Sequence, residues 1–259
     1  MAFPAFPTPI GGHSPAIIAT YSPATCDDAA MTDQEGWLDP AVDVLQWSVD
    51  ALPSDAPVSQ IGDMASRVKA LAGSRPVILQ AAMTDAEGTI VVKPARYFDL
   101  CDRLLRQRFA AVDIAPEHRL HAELADLAHR WGTRVVRTMA LADIQGEDTS
   151  AAALTQLLSE AGVDVLRVTA SAETGEDARQ VAQFVTDYTS TKQALPLVVT
   201  VRGDLGLVVA AQAITAGVAG VDLGPTPIVE DEAGTVTDAS ALAHLWRNVR
   251  EKGLRPAEG

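Results

Sequence analysis

Residues 161–170 read AGVDVLRVTA, in which a glycine follows an apolar segment and precedes a short run rich in Val and Leu. A glycine after a helix and a short run of β-branched residues are typical of a helix that ends and a buried strand that begins. Seven other apolar runs occur at fairly even intervals along the chain. In chain order the eight predicted strands are 16–20, 44–49, 77–80, 110–114, 134–137, 165–169, 197–201 and 220–223.

Segments with helical spacing lie between most of these runs. Residues 57–72 carry an apolar stripe that Gly73 ends. Thr174 is placed to cap a helix that extends to about residue 188, and Asp204 to cap a helix over residues 205–216. Strands that alternate with helices predict an α/β fold with a parallel sheet. Eight such units in about 250 residues predict a single-domain (β/α)8 TIM barrel, whose functional site lies at the C-terminal tips of the strands.

Composition sets limits on the function. The chain has 259 residues, 47% hydrophobic content and a net charge of −14, so we expect one large core and no nucleic-acid partner, which would need clustered Lys and Arg. Cys26 and Cys101 form neither a disulfide framework nor a metal-binding spacing. No apolar run is long enough to span a membrane, so we expect no membrane partner and a cytoplasmic location. Residues 1–13, rich in Pro and Gly, are interpreted as a flexible arm and residues 14–259 as the barrel.

Polar residues at the strand tips are the candidates for function. In the second strand Gln46, Ser48 and Asp50 share one face by alternation, and Trp47 lies on the other face, where we expect it to pack. The remaining candidates follow or end later strands: Glu87, Asp113, Arg137, Arg167 and Arg202. The tips themselves carry no Lys, His or Cys, so the usual nucleophiles and bases are missing from them.

Seven stretches in order resemble one known family: PAIIATYS, VDVLQWSVDAL, PVILQAAMTDAEG, FAAVDIAPEH, GTRVVRTMALAD, AGVDVLRVTASAET and PLVVTVRGDLG. The family is type I 3-dehydroquinate dehydratase of the shikimate pathway, and the resemblance extends over nearly the whole chain. It implies a (β/α)8 barrel, a homodimer, an imine between a sixth-strand lysine and the substrate ketone, and a fifth-strand histidine as general acid and base.

The resemblance also identifies what this chain lacks. Arg167 stands at the lysine position and Ala140 at the histidine position, while Gln46 and Ser48 replace a glutamate and an arginine. A guanidinium stays protonated and cannot act as an amine nucleophile. The stretch that matches the family's substrate lid, residues 228–235, is acidic at residues 230–232. Asp50, Glu87 and Asp113 are retained.

These substitutions predict a catalytically degenerate relative of the dehydratase. We expect it to lack dehydratase activity, to need neither cofactor nor metal, and to bind a small carboxylate metabolite or act in regulation. The alternative is an active lyase or isomerase, or residual dehydratase activity, with Asp50, Glu87 or Asp113 as base and Arg167 as an electrostatic clamp.

Two interpretations of Arg167 remain open from the sequence. It is either a buried arginine neutralised by Asp50, Glu87 or Asp113, or an anion-binding group that acts with Arg137 or Arg202. The three carboxylates would also suit Mg²⁺, but no further ligand spacing supports a metal.

Overall fold

Eight parallel strands close into a barrel in the computed structural model, which describes residues 15–22, 42–49, 56–81, 94–114, 121–146 and 150–225. The strands are β1 Ala16–Tyr21, β2 Val44–Ser48, β3 Val77–Gln80, β4 Ala111–Asp113, β5 Arg134–Ala140, β6 Val165–Ser171, β7 Leu197–Arg202 and β8 Gly220–Pro225. Each strand pairs with the next, and β8 pairs with β1. The predicted TIM barrel and its eight strands are confirmed.

Seven helices lie in the described part of the chain. They are α1 Val58–Ala72, α2 Pro94–Leu105, α3 His121–Arg130, α4 Leu141–Gly146, α5 Ala151–Glu160, α6 Gly175–Thr189 and α7 Gly206–Thr215. The short helix α4 was not predicted, because β5 continues to Ala140 and the helix follows without a loop.

Local sequence signals explain most of the helix ends. Thr174 and Asp177 form a reciprocal capping box at the start of α6, as the sequence predicts. Gly132 and Gly162, which follow α3 and α5, have φ values of 73° and 75°, a region that favours glycine. Asp204 does not cap α7, however. That helix begins at Gly206, and the Asp204 amide donates instead to a carboxylate oxygen of Glu173.

The apolar core has two parts, inside the barrel and between barrel and helices. Trp47 is fully buried on the outer face of β2 and its ring lies 6.0 Å from that of Phe109, so its predicted packing role is confirmed. Met139 also packs in the outer core. The interior holds a separate cluster of small and β-branched residues, namely Ala16, Ile18, Val44, Ile78, Ala111, Val136, Val165 and Val198.

Several sequence predictions lie outside the described residues. These are the arm at residues 1–13, the candidates Asp50 and Glu87, and the acidic stretch 230–232. Among the helices that are described, none combines the length and the apolar composition needed to cross a membrane.

Candidate functional site

A ring of polar side chains lies inside the barrel, directly above the interior apolar cluster. On each strand the polar residue comes two positions after an interior residue, as Arg167 follows Val165 and Thr200 follows Val198. Residues two positions apart along a strand lie on the same face, so the eight polar side chains all point into the barrel. This interior polar ring consists of Thr20, Gln46, Gln80, Asp113, Thr138, Arg167, Thr200 and Asp222.

Asp113 and Asp222 bracket the single cation of the ring. Arg167 Nη1 lies 3.3 Å from Asp113 Oδ2 and 4.0 Å from Asp222 Oδ2. All three side chains are buried, and Arg167 is 3% exposed. The interpretation of Arg167 as a buried arginine with carboxylate partners is therefore confirmed for Asp113, and Asp222 is a second partner that the sequence did not suggest.

Hydroxyl and amide groups complete the ring. Thr138 Oγ1 donates to Asp113 Oδ2 at 2.6 Å, and Thr20 and Thr200 each donate to Asp222 at 3.2 Å. On the opposite wall Gln46 Nε2 donates to Gln80 Oε1 at 2.8 Å. The ring therefore satisfies its two carboxylates through neighbouring strands, which fixes their positions.

The charge of the ring is unbalanced, since two carboxylates face one guanidinium. Burial raises the pKa of Asp113 above its ordinary value, and the nearby Asp222 carboxylate acts in the same direction. Arg167 and the Thr138 hydroxyl oppose this rise without cancelling it. Within the described chain Arg167 Nε and Nη2 have no hydrogen-bond partner, so the guanidinium keeps donors for a further acceptor.

Asp113→Asn should remove a pH-dependent part of the free energy of unfolding. Because the pKa of Asp113 in the folded chain lies above its ordinary value of 3.8, the folded chain holds this proton at pH values where the unfolded chain has released it. The contribution of Asp113 to the free energy of unfolding therefore increases as the pH falls through that raised pKa towards 3.8.

The free energy of unfolding of wild type should thus rise relative to that of D113N as the pH falls, by at most about 1.4 kcal/mol per pH unit. Urea unfolding of both chains at a series of pH values from about 7 down to about 4 measures the difference. If the two chains had the same pH dependence, the protonation assigned to Asp113 would be wrong.

A cavity of about 560 Å³ opens at the C-terminal ends of β5, β6 and β7, next to the ring. We call it the C-terminal cavity. Ala140, Thr169, Ser171, Thr200 and Arg202 line it from the strands, and Gln145, Asp177 and Gln180 line it from the helices. Its size suits a small metabolite. Apart from Asp177, these strand and helix side chains are cationic, neutral polar or small.

The predicted site residues divide between these places. Gln46 and Asp113 belong to the interior polar ring together with Arg167, and Ser48 is buried one step further along β2. Arg202 lies at the C-terminal cavity and is exposed. Arg137 does not join them: it pairs with Leu166 in register, and Leu166 packs in the outer core. Placing Arg137 beside Arg167 was wrong, because Thr138 takes the inward position on β5.

The fold and the site together define the class of protein: a (β/α)8 barrel with a polar interior and a cavity at the carboxyl ends of its strands. The family model of type I 3-dehydroquinase matches residues 26–217, most of the chain. The chain belongs to the type I 3-dehydroquinase family. No curated protein sequence matches it.

Solved structures of 3-dehydroquinate dehydratases have the same fold. The enzyme from Geobacillus kaustophilus HTA426 has a TM-score of 0.72 and 15% identity, with 95% of this chain and 94% of that chain covered. The Enterococcus faecalis enzyme has a TM-score of 0.69 and 17% identity, with 94% and 95% covered. The type I enzyme from Clostridium difficile, solved with covalently modified comenic acid, has a TM-score of 0.73 and 11% identity, with 93% and 95% covered. At these identities the likeness concerns the fold.

Proposed function

We propose that this chain is a catalytically degenerate member of its family, without imine-dependent dehydratase activity, that binds a small carboxylate metabolite. The observation that carries the proposal is the position of Arg167. It lies in the middle of β6, where the resemblance calls for the imine lysine, and is ion-paired to Asp113 at 3.3 Å. A buried guanidinium between two carboxylates is a permanent cation, so it cannot supply the neutral amine that attacks a ketone.

The lysines of the chain offer little replacement for the missing imine-forming amine. The chain has four, at positions 69, 93, 192 and 252. Of the two within the described residues, Lys69 lies in the last turn of α1 and Lys192 between α6 and β7. Both are near the N-terminal ends of the strands, whereas the C-terminal cavity lies at the opposite ends. Lys93 precedes α2 and lies outside the described residues, so an experiment must address it.

Loss of the proton-transfer group supports the same proposal. Ala140 lines the C-terminal cavity at the place where the resemblance calls for a histidine, and a methyl group transfers no proton. His129 is engaged elsewhere, with Nε2 at 2.8 Å from Asp164 Oδ2. Without an amine at position 167 and an imidazole at position 140, neither half of the imine mechanism has its reacting group.

The binding role rests on what the cavity retains. Arg202 presents a guanidinium to the C-terminal cavity, and Thr169, Ser171 and Thr200 add hydroxyl groups. A guanidinium with neighbouring hydroxyl donors is a common arrangement for a carboxylate. A homodimer and a cytoplasmic location remain proposals that come from the resemblance and the composition.

Steady-state dehydration of 3-dehydroquinate tests the proposal. We expect no turnover above the buffer rate, and we expect quinate or 3-dehydroquinate to raise the melting temperature of wild type but not of Arg202→Ala. Arg179→Ala, which removes an exposed arginine on α6, is the matched control and should keep the ligand shift. Turnover at a rate typical of enzymes, above about 1 per second, would contradict the proposal.

The second candidate is an active lyase or isomerase that works without an imine. The raised pKa of Asp113 favours it, because burial and a neighbouring carboxylate shift the pKa of catalytic carboxyl groups in this direction. If turnover were found and D113N abolished it while remaining folded, this candidate would replace the first.

A further inference from the structure

A second cavity, of about 690 Å³, lies at the opposite end of the barrel, where the helices end and β3, β4 and β5 begin. We call it the N-terminal cavity. Five of the chain's 20 Lys and Arg residues line it, although the chain carries a net charge of −14. These cations are Lys69, Arg75, Arg108, Arg130 and Arg134. Among the described residues that line the cavity there is no Asp or Glu.

The helix ends at this cavity do not neutralise the cations. Helices α1, α2 and α3 all end here, and each C-terminus contributes roughly half a negative charge. Three such ends offset only a minor part of five full positive charges. His129, the remaining basic side chain of the lining, already has its carboxylate partner in Asp164. The cavity therefore keeps a net positive field.

Several of these cations retain unused donors. Lys69 Nζ donates to the Gln107 carbonyl, and Arg75 Nε donates to the Val42 carbonyl at 2.8 Å. An ammonium has three donors and a guanidinium five. Within the described chain the side chains of Arg108 and Arg130 make no hydrogen bond or ion pair. Burial and the positive charge of the neighbouring Arg108 lower the pKa of Lys69. The second cause is expected where several cations lie close together.

The floor of the cavity is apolar and partly aromatic. Phe109 and Trp131 line it together with Pro76, Val77 and Ala110. The indole Nε1 of Trp131 is buried and has no acceptor within the described residues. The cavity thus offers an apolar surface beneath a rim of cations, which is the lining of a site for an organic anion.

We propose that the N-terminal cavity is a binding site for a small organic molecule that carries two or more phosphate or carboxylate groups. Arg108 and Arg130 bind the anionic groups, and Phe109 and Trp131 contact the body of the molecule. The site lies at the end of the barrel remote from Arg202 and the C-terminal cavity. A ligand there ties α1, α2 and α3 together through their ends, so its binding raises stability without occupying the family's site.

Position 108 provides a test that spares the fold. Arg108 has a φ of 58°, a value that strains any residue other than glycine. Arg108→Gly removes the charge and relieves the strain, so this variant should fold at least as well as wild type. Arg130→Ala removes the second cation from the last turn of α3. Arg179→Ala, with its exposed partner Glu176 on α6, is the control for a loss of charge elsewhere.

Isothermal titration with citrate and with pyrophosphate measures binding to all four chains. We expect wild type and R179A to bind at least one of the two probes, and R108G and R130A to bind it about tenfold more weakly or worse. Preference for citrate or for pyrophosphate identifies the carboxylate or the phosphate class as the ligand.

Three results would overturn the proposal. One is the absence of binding by wild type at millimolar concentrations of both probes. Another is equal affinity of wild type, R108G and R130A, which would mean that the cations of this cavity are not involved. The third is loss of binding in Arg202→Ala with binding retained in R108G and R130A, which would place the anion in the C-terminal cavity.

Discussion

Arg167→Leu should lower the free energy of unfolding by about 3–5 kcal/mol at neutral pH, since it leaves a buried carboxylate without its cation. Leucine fills much of the arginine's volume, so little of this loss comes from a void. Asp113 and Asp222 would remain inside the barrel with hydroxyl donors as their compensation. Urea unfolding at equilibrium measures the change.

The double variant R167L/D113N separates charge from packing. Because Asn keeps the shape of Asp113 without its charge, the double variant should recover about 0.5–3 kcal/mol relative to the sum of the single effects. Arg179→Ala, an exposed arginine paired with Glu176, is the matched control and should leave the unfolding midpoint unchanged. An R167L chain as stable as wild type would show that the ion pair contributes nothing to folding, and would reopen the anion-binding interpretation of this residue.

The strands and their order could be predicted from the sequence because each strand is a short buried run between turn signals. The run 165–169 is typical: it follows Gly162 and is apolar apart from Arg167 and Thr169. The C-terminal end of a strand is harder to predict where polar residues continue the apolar run. The predicted fifth strand stops at Arg137, while β5 extends to Ala140. The sequence does not reveal this extension, because Thr138 and Met139 are equally compatible with a loop.

The interior polar ring could be predicted only in part. Alternation within β2 correctly places Gln46 and Ser48 on one face. The partnership of Arg167 with Asp222 depends on the stagger between β6, β7 and β8, in which Arg167 pairs with Val198 and Thr200 with Asp222. The stagger depends on how neighbouring strands pack against one another. The alternation of residues within one strand does not contain that information. The same lack of information explains why Arg137 was named as a possible partner of Arg167, although Thr138 takes the inward position on β5.

The N-terminal cavity was missed for a related reason. Its cations come from separate connections, with Arg75 before β3, Arg108 before β4 and Arg130 at the end of α3. In the sequence each is a basic residue near a helix end, which is the common place for one. The parallel pairing of β3 with β4 and of β4 with β5 brings the three connections together.

Borohydride trapping should leave this chain without a substrate adduct. An imine between a lysine and the ketone of 3-dehydroquinate is reduced by borohydride to a stable secondary amine, so the protein gains the mass of the reduced substrate. A chain that holds Arg167 at the imine position has no amine there to react. The type I 3-dehydroquinate dehydratase from Clostridium difficile, treated in parallel, serves as the positive control.

Lys93 is the residue that makes this experiment decisive, because it lies between β3 and α2 in the sequence and outside the described residues. Peptide mapping of the treated protein, with Lys93→Ala beside wild type, shows whether it replaces the missing amine. The measurement is the intact mass after incubation with 3-dehydroquinate and borohydride. We predict an unchanged mass for wild type and for K93A beside a shifted mass for the control enzyme. A stoichiometric adduct on wild type, at Lys93 or at any other lysine, would contradict this prediction.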